Sequence, residues 1–214
     1  MGYFGIMGGT FDPIHLGHLI LAEKAGEVSS LEKIIFVPAA IPPHKIGEVL
    51  TPAEHRLRMV ELAIEGHPGF EISRVELDRE GPSYTADTIR QLIAIERGAE
   101  AVLILGFDSL LELYTWKNYR DILDQARIIT AFRPGSPVLR DANDWPLFLQ
   151  PYRERITILE APLLDISSTW LRVELMQGRS IRYLVPDAVR EYIRENRLYE
   201  PRSGSTYSFF EKAQ

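Results

Sequence analysis

Along the chain, short apolar runs rich in β-formers alternate with longer stretches in which apolar residues recur every three or four positions. The runs are YFGIM (3–7), KIIFV (33–37), FEIS (70–73), AVLIL (101–105), RIITAF (127–132) and RITIL (155–159). KIIFV and AVLIL are apolar almost throughout, the pattern of parallel strands covered on both faces. Between the runs, helical spacing predicts helices near 17–29, 53–66, 85–97, 109–123, 168–177 and 186–196. Leu57, Val60 and Ile64 share one face of the second, and Ile89, Leu92 and Ile93 one face of the third. This alternation predicts an α/β chain with an open parallel sheet of the doubly wound type, helices lying on both faces.

Two segments break the alternation, and no internal repeat is visible. Residues 134–154 carry four prolines and read as a connection with at most a short helix. Residues 201–214 follow the last predicted helix and are mostly polar, which predicts a loosely ordered tail after a single domain spanning 1–200. The loops have a pattern of their own. GGTFDPIH follows the first run, PAAIPPHK the second, GPSYT comes shortly after the third, and GFD, RPG and DISST follow the remaining three. Turn chemistry accounts for Gly, Pro and Ser there; it accounts poorly for His, Lys and Arg. In an open α/β sheet ligands bind outside the carboxyl ends of the strands, so these loops predict one shared rim.

Composition narrows the choice of ligand. Of 214 residues, 45% are hydrophobic and 25% charged, enough apolar material for a sizeable core. A net charge of −6 argues against a nucleic-acid partner but leaves room for a small anion in a locally positive pocket. With no cysteine, disulfides and cysteine-bound zinc are excluded. No apolar run approaches the roughly 20 residues of a membrane helix. The first residues are too short and uncharged to read as a secretory signal, so a soluble cytoplasmic protein is expected, with homo-oligomerisation left open.

The densest chemistry lies in MGGTFDPIHLGHL, residues 7–19. Gly8 and Gly9 permit a sharp turn and close approach to a ligand. Asp12-Pro13 marks a turn, and a helix begins near Leu16 or Gly17. At a spacing of three, His15 and His18 lie on one side of that helix start, beside amides that have no helical partner. Phosphate binding, metal ligation and a purely structural cap compete to explain the pair. Zinc would need further ligands, and the remaining histidines are His44, His55 and His67. His55 is expected on a helix surface and His67 at a helix end. Neither a P-loop nor a dinucleotide fingerprint is present.

GGTFDPIHLGH resembles the first signature of the H-x-G-H nucleotidyltransferases, and DISSTWLR (165–172) resembles their second, I-S-S-T-x-[IL]-R. PPHK (42–45), SYTADT (83–88), GFDSL with Trp116, and VREYIRENRLY (189–199) are similar to landmarks of the bacterial nicotinate-nucleotide adenylyltransferase family. Phe107, where the family usually has a small residue, and the bulky Trp170 depart from the pattern and would reshape the pocket. The resemblance implies a Rossmann-like fold and transfer of the adenylyl group of ATP to nicotinate mononucleotide. The products would be nicotinate adenine dinucleotide and pyrophosphate, in NAD biosynthesis.

For the residues, the resemblance implies catalytic roles for His18, His15 and Arg172. It implies ATP contacts from Gly8, Gly9, Thr10, Phe11, His15, His18, Ser167, Ser168, Thr169 and Arg172. Mononucleotide contacts would come from His44, Lys45, Tyr84, Thr85, Gly106, Asp108, Trp116 and Arg133. It implies Mg²⁺ held by the ATP phosphates and water, with no protein metal site. The attacking phosphate monoester is mostly dianionic at neutral pH, so no general base is needed, and catalysis would be positioning and charge stabilisation. Two other readings compete: a related transferase acting on nicotinamide mononucleotide, phosphopantetheine or glycerol phosphate, and a nucleotide-binding regulatory module without turnover.

Overall fold

The computed structural model describes residues 2–43, 47–132, 144–159 and 164–200. The predicted tail at 201–214 and residues 134–143 of the proline-rich connection lie outside that range. Each predicted apolar run forms a strand: β1 (Tyr3–Gly9), β2 (Lys33–Pro38), β3 (Phe70–Ile72), β4 (Glu100–Gly106), β5 (Ala126–Ala131) and β6 (Ile156–Leu159). They form one six-stranded sheet in the order β3-β2-β1-β4-β5-β6, with every neighbouring pair parallel. The order reverses between β1 and β4, which opens a crevice beyond their carboxyl ends.

Apart from the edge strand β3, whose Glu71 is exposed, the sheet is buried on both faces, and residues on the two faces of its strands feed two cores. Ile34 and Phe36 of β2 join Val102 and Ile104 of β4 in one; Ile35, Val37, Leu103 and Leu105 join the other. The first core is closed by α1 (Leu16–Ser29), α2 (Ala53–Ile64), α6 (Ser168–Met176) and α7 (Asp187–Glu195). The second is closed by α3 (Thr85–Ile95), α4 (Phe107–Leu111) and α5 (Tyr119–Gln125). Near-continuous apolar strands are what such two-sided burial requires. Among the described residues no helix is long and apolar enough to cross a membrane.

The structure corrects the helix predicted over 109–123. It is broken into α4, a 3₁₀ turn at Leu113–Thr115, and α5. Trp116 turns extended (φ −79°, ψ 142°) and Asn118 is left-handed (φ 55°), so the backbone cannot continue as one helix. This break carries Trp116 and Lys117 out to the crevice. Phe107 is 0% exposed and packs against Phe132, with ring centroids 4.6 Å apart, so it does not itself line the crevice. Trp170, in turn, stands outward at 45% exposure. His55 is not a free surface residue but bonds Tyr192 Oη through Nδ1 at 2.8 Å, joining α2 to α7. His67 lies beyond α2, stacked on Phe70 and 2.9 Å from a Glu23 carboxylate oxygen.

Candidate active site

The loop leaving β1 descends into the protein before α1 starts. Phe11, Asp12, Ile14 and His15 are all at most 4% exposed. Phe11 takes a left-handed backbone (φ 51°), which costs a non-glycine residue about 1–2 kcal/mol. Burial of its ring offsets that cost: the ring meets His18 edge-on at 5.2 Å and Phe36 at 6.0 Å. Gly9 has no side chain because Phe11 occupies the space; a Cβ there would lie 3.0 Å from the ring. At Gly8 a Cβ would meet nothing within 4 Å, so that backbone faces open space at the crevice.

His15 is the N-cap of α1, with an extended backbone (φ −145°, ψ 169°). Its imidazole stacks on that of His18, centroids 3.7 Å apart and planes at 26°. The His15 backbone N–H donates to His18 Nδ1 at 3.2 Å. With Nδ1 accepting, a neutral His18 carries its hydrogen on Nε2, which is then the donor side of the ring. The intervening Gly17 makes the stack feasible, since a Cβ at that position would lie 3.0 Å from His15 Nδ1. The histidine spacing and the glycine are therefore one packing solution at the start of the helix.

The second signature meets the first across nearly the whole chain. Ser167 caps α6 by accepting from the Trp170 N–H at 3.2 Å. Ser168 Oγ donates to the Pro13 carbonyl at 2.8 Å, and Arg172 Nη1 to the Asp12 carbonyl at 2.8 Å, 160 positions away. Arg172 Nη2 also reaches Thr169 Oγ1 at 3.4 Å, so the guanidinium joins both loops.

Beneath them is a buried polar hub that the sequence pattern had not singled out. Arg56 lies on α2, 1% exposed, and donates to the carbonyls of Thr10 (2.8 Å), Ala39 (2.7 Å), Ala40 (3.3 Å) and Thr51 (2.9 Å). Burial pulls its pKa below the usual arginine value, and the nearby Asp12 charge opposes the shift. The Asp12 carboxylate accepts from Tyr199 Oη at 2.6 Å and the Thr51 N–H at 3.4 Å. Burial and the Asp12 charge push the Tyr199 phenol far above its usual range, so it remains a hydrogen donor. One sequence signal for Arg56 existed: a cation placed among the apolar positions Leu57, Met59 and Val60.

The crevice is a cleft of about 430 Å³ at the reversal point. Of the predicted site residues it brings together Gly8, Gly9, Thr10, Tyr84, Thr85 and Trp116. Gly106 and Asp108 lie just beyond, at the junction of β4 and α4, where Gly106 is the N-cap. His44, Lys45 and Arg133 lie outside the described residues. Glu76, Ser83 and Lys117 also line the cleft and were not anticipated. Ser83 Oγ accepts from the Ala40 and Ile41 N–H groups at 3.0 and 3.4 Å, tying two cleft loops together. Glu76 is 6% exposed and accepts from Thr88 Oγ1 at 2.6 Å, and burial pushes its carboxyl above the ordinary range. Among the described residues no cluster of three His, Cys, Asp or Glu side chains could hold a metal ion.

The family model described as cytidylyltransferase-like matches residues 6–174. A probable nicotinate-nucleotide adenylyltransferase from Moorella thermoacetica is 46% identical over 208 residues, covering 96% of this chain and 95% of that one. One from Geobacillus kaustophilus is 43% identical over 206 residues, covering 96% and 90%. In fold, the chain resembles the nicotinic acid mononucleotide adenylyltransferase of Plasmodium falciparum solved with NaAD. The TM-score is 0.75 at 18% identity, covering 93% of this chain and 98% of the other.

Proposed function

From the premise that this chain belongs to the cytidylyltransferase-like family, and within it to the nicotinate-nucleotide adenylyltransferases, we infer how its rim performs that family's reaction. The chain is a nucleotidyltransferase. It transfers the adenylyl group of ATP to nicotinate mononucleotide, yielding nicotinate adenine dinucleotide and pyrophosphate. A phosphate oxygen of the mononucleotide forms a new bond to the α-phosphorus, while the bond from that phosphorus to the oxygen bridging to the β-phosphate breaks. Pyrophosphate leaves with the electron pair. The difficulty is electrostatic: two anions must meet, and charge grows on the leaving group.

The observation that carries the assignment of roles is the join between the two signatures, through Arg172 to the Asp12 carbonyl and Ser168 to the Pro13 carbonyl. It sets a guanidinium, a hydroxyl-capped helix start and two imidazoles around one loop. His18 donates through Nε2 to the phosphate undergoing transfer, and the stacked His15 holds that ring in place and faces the same triphosphate. Arg172, with Ser167, Ser168 and Thr169, takes the β- and γ-phosphates, where an oriented cation counters the charge of the departing pyrophosphate. The backbone from Gly8 to Phe11 cradles the nucleotide. His44, Lys45 and Arg133 are proposed for the phosphates and the nucleotide.

In the cleft, the Trp116 indole stacks on the cationic pyridine ring. Tyr84 and Thr85 supply donors at the start of α3, and Gly106 and Asp108 lie toward the ribose. Mg²⁺ arriving with ATP would be held by phosphate oxygens and water and would neutralise charge on the triphosphate. The deciding experiment is an acceptor panel with MgATP, read by pyrophosphate release. Nicotinate mononucleotide should be used best; faster turnover with phosphopantetheine or glycerol phosphate would overturn the reading.

A further inference from the structure

Among the described residues lining the cleft, Lys117 carries the one positive side chain and Glu76 the one negative side chain. Glu76 is already engaged by hydroxyls, with Thr88 donating at 2.6 Å. Lys117 is placed differently from the other described lysines. Lys24 is paired with Glu27, and Lys33 with Glu71 and Glu96. The Lys117 ammonium instead stands 4.0 Å from the centroid of the Tyr84 ring. A cation over an aromatic face is held without being neutralised. Tyr84 is also the N-cap of α3, so the ammonium stands beside a helix start whose first amides lack helical partners.

The inference rests on the reading that the mononucleotide's pyridine ring enters this cleft beside Trp116. The ring's acid and amide forms are close in shape. A single neutral N–H or O–H donor serves a carboxylate oxygen and a carboxamide oxygen alike, while a second such donor already meets the amide's NH₂ with like polarity. The acid differs further by one full negative charge, and a fixed cation is the group that reads that charge.

We propose that the Lys117 side chain determines specificity for the acid over the amide, its ammonium leaving the Tyr84 face or sharing it to pair with the ring carboxylate. The amide offers no charge to this cation, and its NH₂ group meets it with like polarity. Trp116 binds the ring in either case, so the selecting contact is separate from the stacking one.

The test compares kcat/KM for nicotinate mononucleotide and nicotinamide mononucleotide at saturating MgATP in wild type, Lys117→Met and Lys117→Arg. Methionine keeps most of the stem and removes the charge; arginine keeps the charge. Lys117→Met should lower kcat/KM for the acid about 10-fold, the scale of one charge-assisted contact in a partly open site. The amide should stay within about twofold, so that the selectivity ratio contracts by nearly the whole loss, and Lys117→Arg should recover most of it. Added salt should erode the wild-type ratio and leave that of Lys117→Met flat. A substitution that merely disturbed the fold would depress both substrates together. Equal losses, or an unchanged ratio, overturn the proposal. A wild type that turns over neither pyridine mononucleotide overturns the acceptor reading and this proposal with it, and is recognised before any variant is made.

Discussion

Gly17→Ala separates the stacked imidazoles from the helix that carries them. An added Cβ would lie 3.0 Å from His15 Nδ1 and 3.1 Å from Cε1, whereas ordinary contact begins near 3.4 Å. The ring must therefore retreat by about 0.4 Å, or tilt. It cannot do so freely, because the ring also stacks on His18 at 3.7 Å and the His15 backbone N–H is bonded to His18 Nδ1. The displacement passes to the imidazole proposed to contact the transferring phosphate. A misplacement of about 1 Å costs about 10²-fold in rate, so several tenths of an ångström, with some rotation, should lower kcat about 5- to 30-fold. Stability responds in the opposite sense. Alanine improves on glycine by up to about 1 kcal/mol within a helix, less in its first turn, and this offsets the crowding. The expected signature is an unfolding free energy within about 1 kcal/mol of wild type together with a clear loss of kcat. Steady-state pyrophosphate release and equilibrium unfolding measure the two halves. A variant with full kcat and raised stability would show that His15 yields without consequence, and the coupling of the two rings to catalysis would be refuted.

His18→Ala should lower kcat by about 10²-fold or more with the fold retained, as expected for one oriented transition-state donor; an unchanged rate removes it from the mechanism. Tyr199→Phe takes a donor from the buried Asp12 carboxylate, whose loop carries the histidines. It should cost about 1–3 kcal/mol in unfolding free energy and lower kcat, checked by denaturation and kinetics. Glu76→Gln should change the pH dependence of stability. Burial raises the Glu76 carboxyl above its ordinary 4.5, so its contribution is present in full below that value and is lost as pH rises through the higher folded-state value. Urea titrations from pH 4 upward should show the wild type losing ground to the variant as pH rises; parallel curves would contradict this.

The strands and their two-faced burial were legible because apolar runs of β-formers have few other uses at that length. The two signatures were legible because glycines, imidazoles and hydroxyls occur there in an order that turn chemistry alone does not demand. The single helix predicted over 109–123 was not observed, because apolar spacing cannot register one left-handed residue such as Asn118. That break is what delivers Trp116 and Lys117 to the cleft. Arg56 and Tyr199 went unremarked because their partners are backbone carbonyls and a carboxylate that are remote in sequence.

What the sequence determined by itself is local: which segments become strands and helices, where the loops turn, and which side chains accompany each loop. Periodicity, glycine and capping chemistry act over a few residues and so can be read in a line. The strand order that reverses between β1 and β4, the contact of Arg172 with the Asp12 carbonyl, and the buried arginine tying four carbonyls together were decided only by tertiary structure. These depend on pairings between distant segments, whose free energies exist only once the sheet has assembled and water has left the space between them.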